Sequence, residues 1–207
     1  MLANPKKVGK PRGNHRALPY AQTPAPMAKL TEIDTTASRA LRLTILCATR
    51  TSETLGATWD GIDFDDATWS ISKERMKMKK PHDIPLSDAA LAILRAQESV
   101  RGKNPYVFPG RPMRPLSSMS MAMLMRRMKI DATVHGFRTS FRTWAGETGV
   151  AFELAEHCLV HAVGNAASQA YNRTTLLELR RPVMTAWANY VTGEADDNVI
   201  PLRQARS

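Results

Sequence analysis

Apolar positions are scattered over the first residues of the chain and become periodic from about Met27. Leu41, Leu43, Ile45, Leu46 and Cys47 make an almost wholly apolar helical run, the mark of an element buried on every side, which places it at the centre of the core. From Trp59 to Ser72 the pattern changes to alternation around Asp65-Asp66-Ala67, which predicts two strands joined by a turn. The stretch His82 to Leu86 supplies a third strand after the basic run Lys73 to Lys80. Ser87 is placed to cap a helix running to Ser99, with Asp88 in its first turn and Leu91, Ile93 and Leu94 inward. Tyr106-Val107-Phe108 is a short apolar segment closed by a Pro109-Gly110 turn.

The methionine-rich stretch Ser117 to Met128 reads as a core helix, with an adaptable partner groove as the alternative. A helix from His135 through Glu147, ended by Gly149, buries Phe137, Phe141 and Trp144 as its stripe. Phe152 to Val160 forms the next helix and Leu176 to Tyr190 an amphipathic last one. Helices around three short strands give a mainly α (α+β) class, a helical domain with a small three-stranded antiparallel sheet on one side. Residues 1–26 read as a flexible basic arm, 27–192 as the folded domain, and 193–207 as a disordered tail.

Composition narrows the partner. A chain of 207 residues with 43% hydrophobic and 23% charged residues can bury one good core. Its formal net charge of +10 points to a polyanion, nucleic acid above all, rather than to a merely solubilising surface. Two cysteines, Cys47 and Cys158, sit in apolar helical contexts and read as reduced core thiols of a cytoplasmic protein. No apolar run approaches the ~20 residues of a membrane span, so no membrane partner is expected.

The candidate chemistry lies in four places along the chain. Arg50 follows the central apolar run directly, and Glu53 stands one helical turn later, where it can hold the guanidinium. Read plainly, that is a surface ion pair. His135 and Arg138 are one turn apart on one helix face and can reach a single phosphate. Farther on come His161 and Tyr171, the latter followed at once by Asn172-Arg173. Cations to neutralise a phosphorane and a hydroxyl to attack it suit phosphodiester chemistry without a metal or other cofactor. His157, Cys158 and His161 invite a zinc reading, but no further ligand stands at the required spacing, and His157 reads as an ordinary polar-face residue.

These motifs, in this order, carry a resemblance. The chain resembles the catalytic domain of tyrosine recombinases (phage integrases), closest to the satellite-phage and genomic-island branch, from about Ala17 to about Tyr190. The likeness rests on Arg50-Thr-Ser-Glu53, on the run Glu74 to Leu86, on His135-Gly-Phe-Arg138 and on the His161-to-Tyr171 spacing. It implies the fold of that domain and reversible cleavage and rejoining of DNA through a 3′-phosphotyrosine formed by Tyr171. Arg50, Arg138 and His161 would bind the scissile phosphate, His135 would serve as base, and Glu53 would orient Arg50. A lysine of the strand hairpin would protonate the departing 5′-oxygen. Counting back from Pro85 selects Lys77, with Lys79 as runner-up. The resemblance implies no ATP, a monomer in solution that assembles as a tetramer on DNA in the full-length context, and a bacterial cytoplasmic, nucleoid-associated location. The arm-binding and core-binding domains that precede this domain in the family are not in this sequence. A DNA-binding remnant and a type IB topoisomerase-like enzyme are the alternatives.

Overall fold

The helical core is centred on α2 (Thr36–Leu46), whose N-terminus is capped by Thr35 Oγ1 accepting from Ser38 N at 3.2 Å. Ala40, Leu41, Leu43 and Ile45 are fully buried, as an almost wholly apolar run requires. The computed structural model describes residues 16–76, 80–160 and 175–194. Within them α1 (Pro24–Thr31), α4 (Asp88–Glu98), α5 (Ser120–Arg127) and α8 (Thr175–Thr192) all lie against α2. Trp187 of α8 donates its indole N–H to Ile45 O at 2.8 Å, so the last helix is bonded to the C-terminal end of the central one. Ser87 Oγ accepts from Ala90 N at 3.3 Å and starts α4 where the cap was expected. On α5 the methionines divide: Met121 and Met125 are core, Met119 and Met123 exposed.

The molecule is mostly helical, with one three-stranded antiparallel sheet in the order β1 (Ile62–Asp63), β2 (Thr68–Ile71), β3 (His82–Pro85). Asp63 Oδ1 accepts from the amides of Asp65 and Asp66 and closes the first turn. Trp69 pairs with Ile84 and Ile71 with His82, so the buried residues of β2 lie across from alternate residues of β3. Arg181 of α8 reaches Ala67 O at 3.2 Å and the Asp66 carboxylate at 3.3 Å, which ties the last helix to the sheet.

On the other side α6 (Gly136–Glu147) and α7 (Phe152–Cys158) pack on each other. Phe141 and Trp144 of α6 meet Trp187 of α8 with ring centroids 5.5 and 5.3 Å away. Gly149 adopts φ +83°, a left-handed stop in keeping with the expected end of that helix.

The folded unit begins ahead of Met27, the boundary expected from periodicity. Arg16 O accepts from Thr133 N at 2.9 Å, Ser140 Oγ donates to Leu18 O, and Tyr20 donates to Glu147 at 2.6 Å. Proline and polar residues there offer no periodic signal, yet their backbone groups are bonded to α6 and the turn before it. Gly136 is the sequence mark of this docking, because a Cβ at that position would collide with Arg16 O. Among the described residues no helix is long and apolar enough to cross a membrane.

Candidate active site

The site is built where α2 ends. Ala48 turns the chain with φ +48°, and Thr49 and Thr54 share a hydroxyl bond of 2.7 Å beneath it. That turn delivers Arg50 to the N-cap of α3 (Thr51–Leu55). Glu53 holds the residue twice: one carboxylate oxygen accepts from Arg50 N and the other from Arg50 Nη1, each at 2.7 Å. Glu53 is itself only 4% exposed, so this is not a surface ion pair. The Arg50 side chain is half-buried, and Nη1 is the guanidinium nitrogen that meets Glu53.

Arg138 comes in from α6 and is as deeply buried, at 4% exposure. Its two terminal nitrogens donate to Ala48 O and Leu159 O, and its Nε–H has no partner among the described residues. Both carbonyls belong to left-handed turns, at Ala48 and beside Val160 (φ +54°), that close α2 and α7. One guanidinium thereby joins the turn before Arg50 to the turn before His161. Burial, reinforced by Arg50, lowers its pKa to about 10, while Glu53 and Glu156 pull the other way. It stays protonated at neutral pH, a buried cation held by neutral carbonyls.

His135 occupies the N-cap of α6 and its side chain is exposed, so it and Arg138 stand at different depths. Lys77, Lys79, His161 and Tyr171 lie outside the described residues. The chain entering the lysine hairpin is nevertheless fixed. Met76 is 1% exposed, and Arg75 donates to Glu53 O at 3.2 Å, lying so close over Gly56 that a side chain there would displace it. The hairpin approach is therefore bonded to the same α3 that carries Arg50 and Glu53.

Two residues of this region were not singled out in the sequence. His82 of β3 has its pKa pushed down to about 3 by burial and, after it, by Arg180, Arg138, Arg50 and His157. Its signal was period two, which puts it on the strand face of buried Ile84, but the neighbouring lysines obscure that alternation. Arg180 of α8 is 6% exposed with Nη1 at 3.5 Å from His82 Nε2. It interrupts the stripe formed by Leu176, Met184, Trp187 and Val191, and that interruption is legible. His157 also departs from the polar-face reading: it is half-buried, and burial and Arg180 lower its pKa. Arg142 bonds Glu156 and stacks over Phe152 at 5.4 Å, joining α6 to α7.

Cys47 and Cys158 are buried free thiols, each pushed up to about 12 by burial. Among the described residues no three His, Cys, Asp or Glu side chains are grouped as metal ligands. The described core of the site is a set of arginines whose charge is only partly cancelled. Such a set stabilises an anion, and the planar forks suit the oxygens of a phosphate.

The model of the phage integrase family matches residues 18–177. The sequence is 36% identical over 160 residues to Prophage integrase IntA of Escherichia coli (strain K12), covering 75% of this chain and 39% of that protein. It is 33% identical over 172 residues to the integrase of Enterobacteria phage P4, covering 73% of this chain and 39% of the phage protein. The chain thus spans about two fifths of the length of the curated relatives it matches. In three dimensions it is similar to lambda integrase(75-356), solved as a dimer bound to a COC′ core site. The TM-score is 0.58 at 18% identity, with 76% of this chain and 62% of that one covered.

Proposed function

The chain belongs to the phage integrase family, and from that membership we propose that it cleaves and rejoins duplex DNA as the catalytic part of a site-specific recombinase. The observation that supports this most directly is the joining of Arg50 and Arg138 through the Ala48 turn. One guanidinium is oriented by a buried carboxylate, and the other is held by two backbone carbonyls with its Nε–H unpartnered among the described residues. Pre-set donors of this kind aim at the non-bridging oxygens of a phosphate, where charge grows in the transition state. The formal net charge of +10 favours the approach of the DNA backbone.

In this reading Tyr171 attacks the scissile phosphate. The phosphorus–O5′ bond breaks, leaving a 3′-phosphotyrosine and a free 5′-hydroxyl. His135 takes the phenolic proton, His161 adds a donor to the phosphate, and Lys77 gives a proton to the departing oxygen. One phosphodiester replaces another, so the step is reversible without ATP. The protein acts in the bacterial cytoplasm, as a monomer in solution and as a tetramer when complete chains assemble on DNA.

The test is relaxation of a supercoiled plasmid carrying two copies of the element's junction sequence, scored beside recombination between them. Covalent adduct with recombined product is expected of the recombinase. Relaxation without recombination at any protein concentration supports a topoisomerase-like enzyme instead. Binding with neither outcome supports a DNA-binding remnant.

The acid has its own test. Lys77→Ala should slow cleavage, and a substrate with sulfur at the 5′-bridging position should recover much of the loss, since a thiolate leaves without a proton. If Lys79→Ala shows this pattern and Lys77→Ala does not, the hairpin register is shifted and Lys79 is the acid.

A further inference from the structure

Arg50 and Arg138 account for only part of the buried cationic charge. Arg180 is nearly as buried as Arg138, yet it contributes nothing to the reaction described above. Its Nε donates to Leu176 O at 3.1 Å within α8, and its Nη1 reaches across to His82 on β3 at 3.5 Å. Among the described residues no carboxylate lies within ion-pair distance of it. Burial lowers its pKa, and only the Cys158 thiol and Asp83 act the other way; Asp83 is exposed and accepts from Ser70 Oγ at 2.7 Å. A buried cation without a counter-ion is strongly unfavourable, and a fold that needed only packing at position 180 would continue the apolar stripe of α8.

The partner explains how the charge is kept. A guanidinium has no acceptor atom, so the contact requires His82 Nε2 to be the lone-pair nitrogen of a neutral imidazole. Burial and the nearby arginines favour that neutral ring by pushing its pKa down to about 3. A carboxylate at position 82 would hold Arg180 equally well and cancel its charge. A neutral ring holds it and leaves the charge intact. The charges of Arg138 and Arg50 also act on His82, in the same direction as that of Arg180, so the imidazole lies in the field of all three guanidiniums.

We propose that Arg180 is a further phosphate-contacting residue of this active site, and that His82 is the positioning residue that holds it there without neutralising it. The phosphate in question is the DNA phosphodiester, so the proposal rests on the function proposed above. It adds a donor from α8, the helix that follows the Tyr171 segment in sequence, to those from α3 and α6.

The full chain is titrated with inorganic phosphate, with the melting temperature as readout, and adduct formation on the nicked junction duplex is measured in parallel. Arg180→Met should leave the phosphate-free protein as stable as the original or more so, because an uncompensated buried charge is gone. It should weaken phosphate binding and slow adduct formation each by about tenfold or more, the worth of one charge-assisted hydrogen bond. His82→Gln, another neutral acceptor, should stay within about threefold of the original in both, whereas His82→Glu should bind phosphate as poorly as Arg180→Met. A lowered melting temperature for Arg180→Met, with phosphate affinity and adduct rate unchanged, would overturn the proposal and leave Arg180 a structural strut. If the original chain forms no adduct while phosphate affinity still depends on Arg180, the recombinase reading fails and the anion site stands. If Arg180→Met forms adduct at the original rate, the proposal fails and the recombinase reading stands.

Discussion

Replacing Tyr171 with phenylalanine should abolish the covalent protein–DNA adduct while leaving the fold and DNA binding as they were. The change removes one hydroxyl, and in the proposed reaction that hydroxyl is the nucleophile; no remaining donor or cation substitutes for it. A nicked suicide duplex, whose short 5′-hydroxyl strand diffuses away after cleavage, traps the adduct for a denaturing gel. Tyr171 is one of four tyrosines, and the structure accounts for the other three. Tyr20 donates to Glu147, and that bond raises its pKa, the wrong direction for a nucleophile. Tyr190 stacks on Trp187 at 6.1 Å, with its pKa also raised by burial. Tyr106 pairs through its backbone with Thr58, beside buried Val107 and Phe108. An adduct surviving in Tyr171→Phe means that another side chain attacks, and Tyr20→Phe and Tyr106→Phe would then identify it.

The parts of this molecule that were legible from sequence are those in which side chains alone decide the outcome. The run Leu41 to Cys47 is almost wholly apolar, broken only by Arg42 and Thr44, and a central helix satisfies it. Phe137, Phe141 and Trp144 repeat at helical spacing and are the buried stripe of α6. Asp63, Asp65 and Asp66 mark the β1–β2 turn through local hydrogen bonds that any Asp-rich loop can form. The Arg50–Glu53 pair was legible as a pair, but its depth was not, because depth depends on what α2 and the hairpin approach bring over it.

What stayed hidden is backbone chemistry and long-range coincidence. Ala48 O and Leu159 O are the groups that hold Arg138, and every residue carries a carbonyl. Only the left-handed turns beside them set these two apart, and neither turn contains the glycine that would announce it. The docking of Arg16 and Leu18 is likewise main-chain bonding without an apolar pattern; Gly136 records it, in a motif that draws attention to its histidine and arginine instead. His82 and Arg180 are far apart in sequence and become a pair only when α8 packs on β3.

Arg138→Ala should lower the rate of cleavage by about two to three orders of magnitude, the usual effect of deleting one transition-state charge donor. DNA affinity should fall far less, because many phosphates share the binding energy and only one is being cleaved. The structure adds an opposing pair of effects on stability. Removing the guanidinium leaves Ala48 O and Leu159 O without their donor, at roughly 1–3 kcal/mol for each buried acceptor left unmade. It also removes a buried cation that burial already disfavours, which offsets part of that loss. Arg138→Lys separates the two roles. An ammonium keeps the charge and can reach one carbonyl, but it cannot bridge both and still face a phosphate edge-on. It should therefore recover part of the stability while the rate remains well below that of arginine. Single-turnover cleavage, equilibrium DNA binding and melting temperature are measured on the same preparations of both variants. A parallel loss of affinity and rate in Arg138→Ala would show that Arg138 merely holds the DNA backbone. Full cleavage by Arg138→Lys would show that charge alone is needed and that the fork spanning the Ala48 and Leu159 turns has no part in the chemistry.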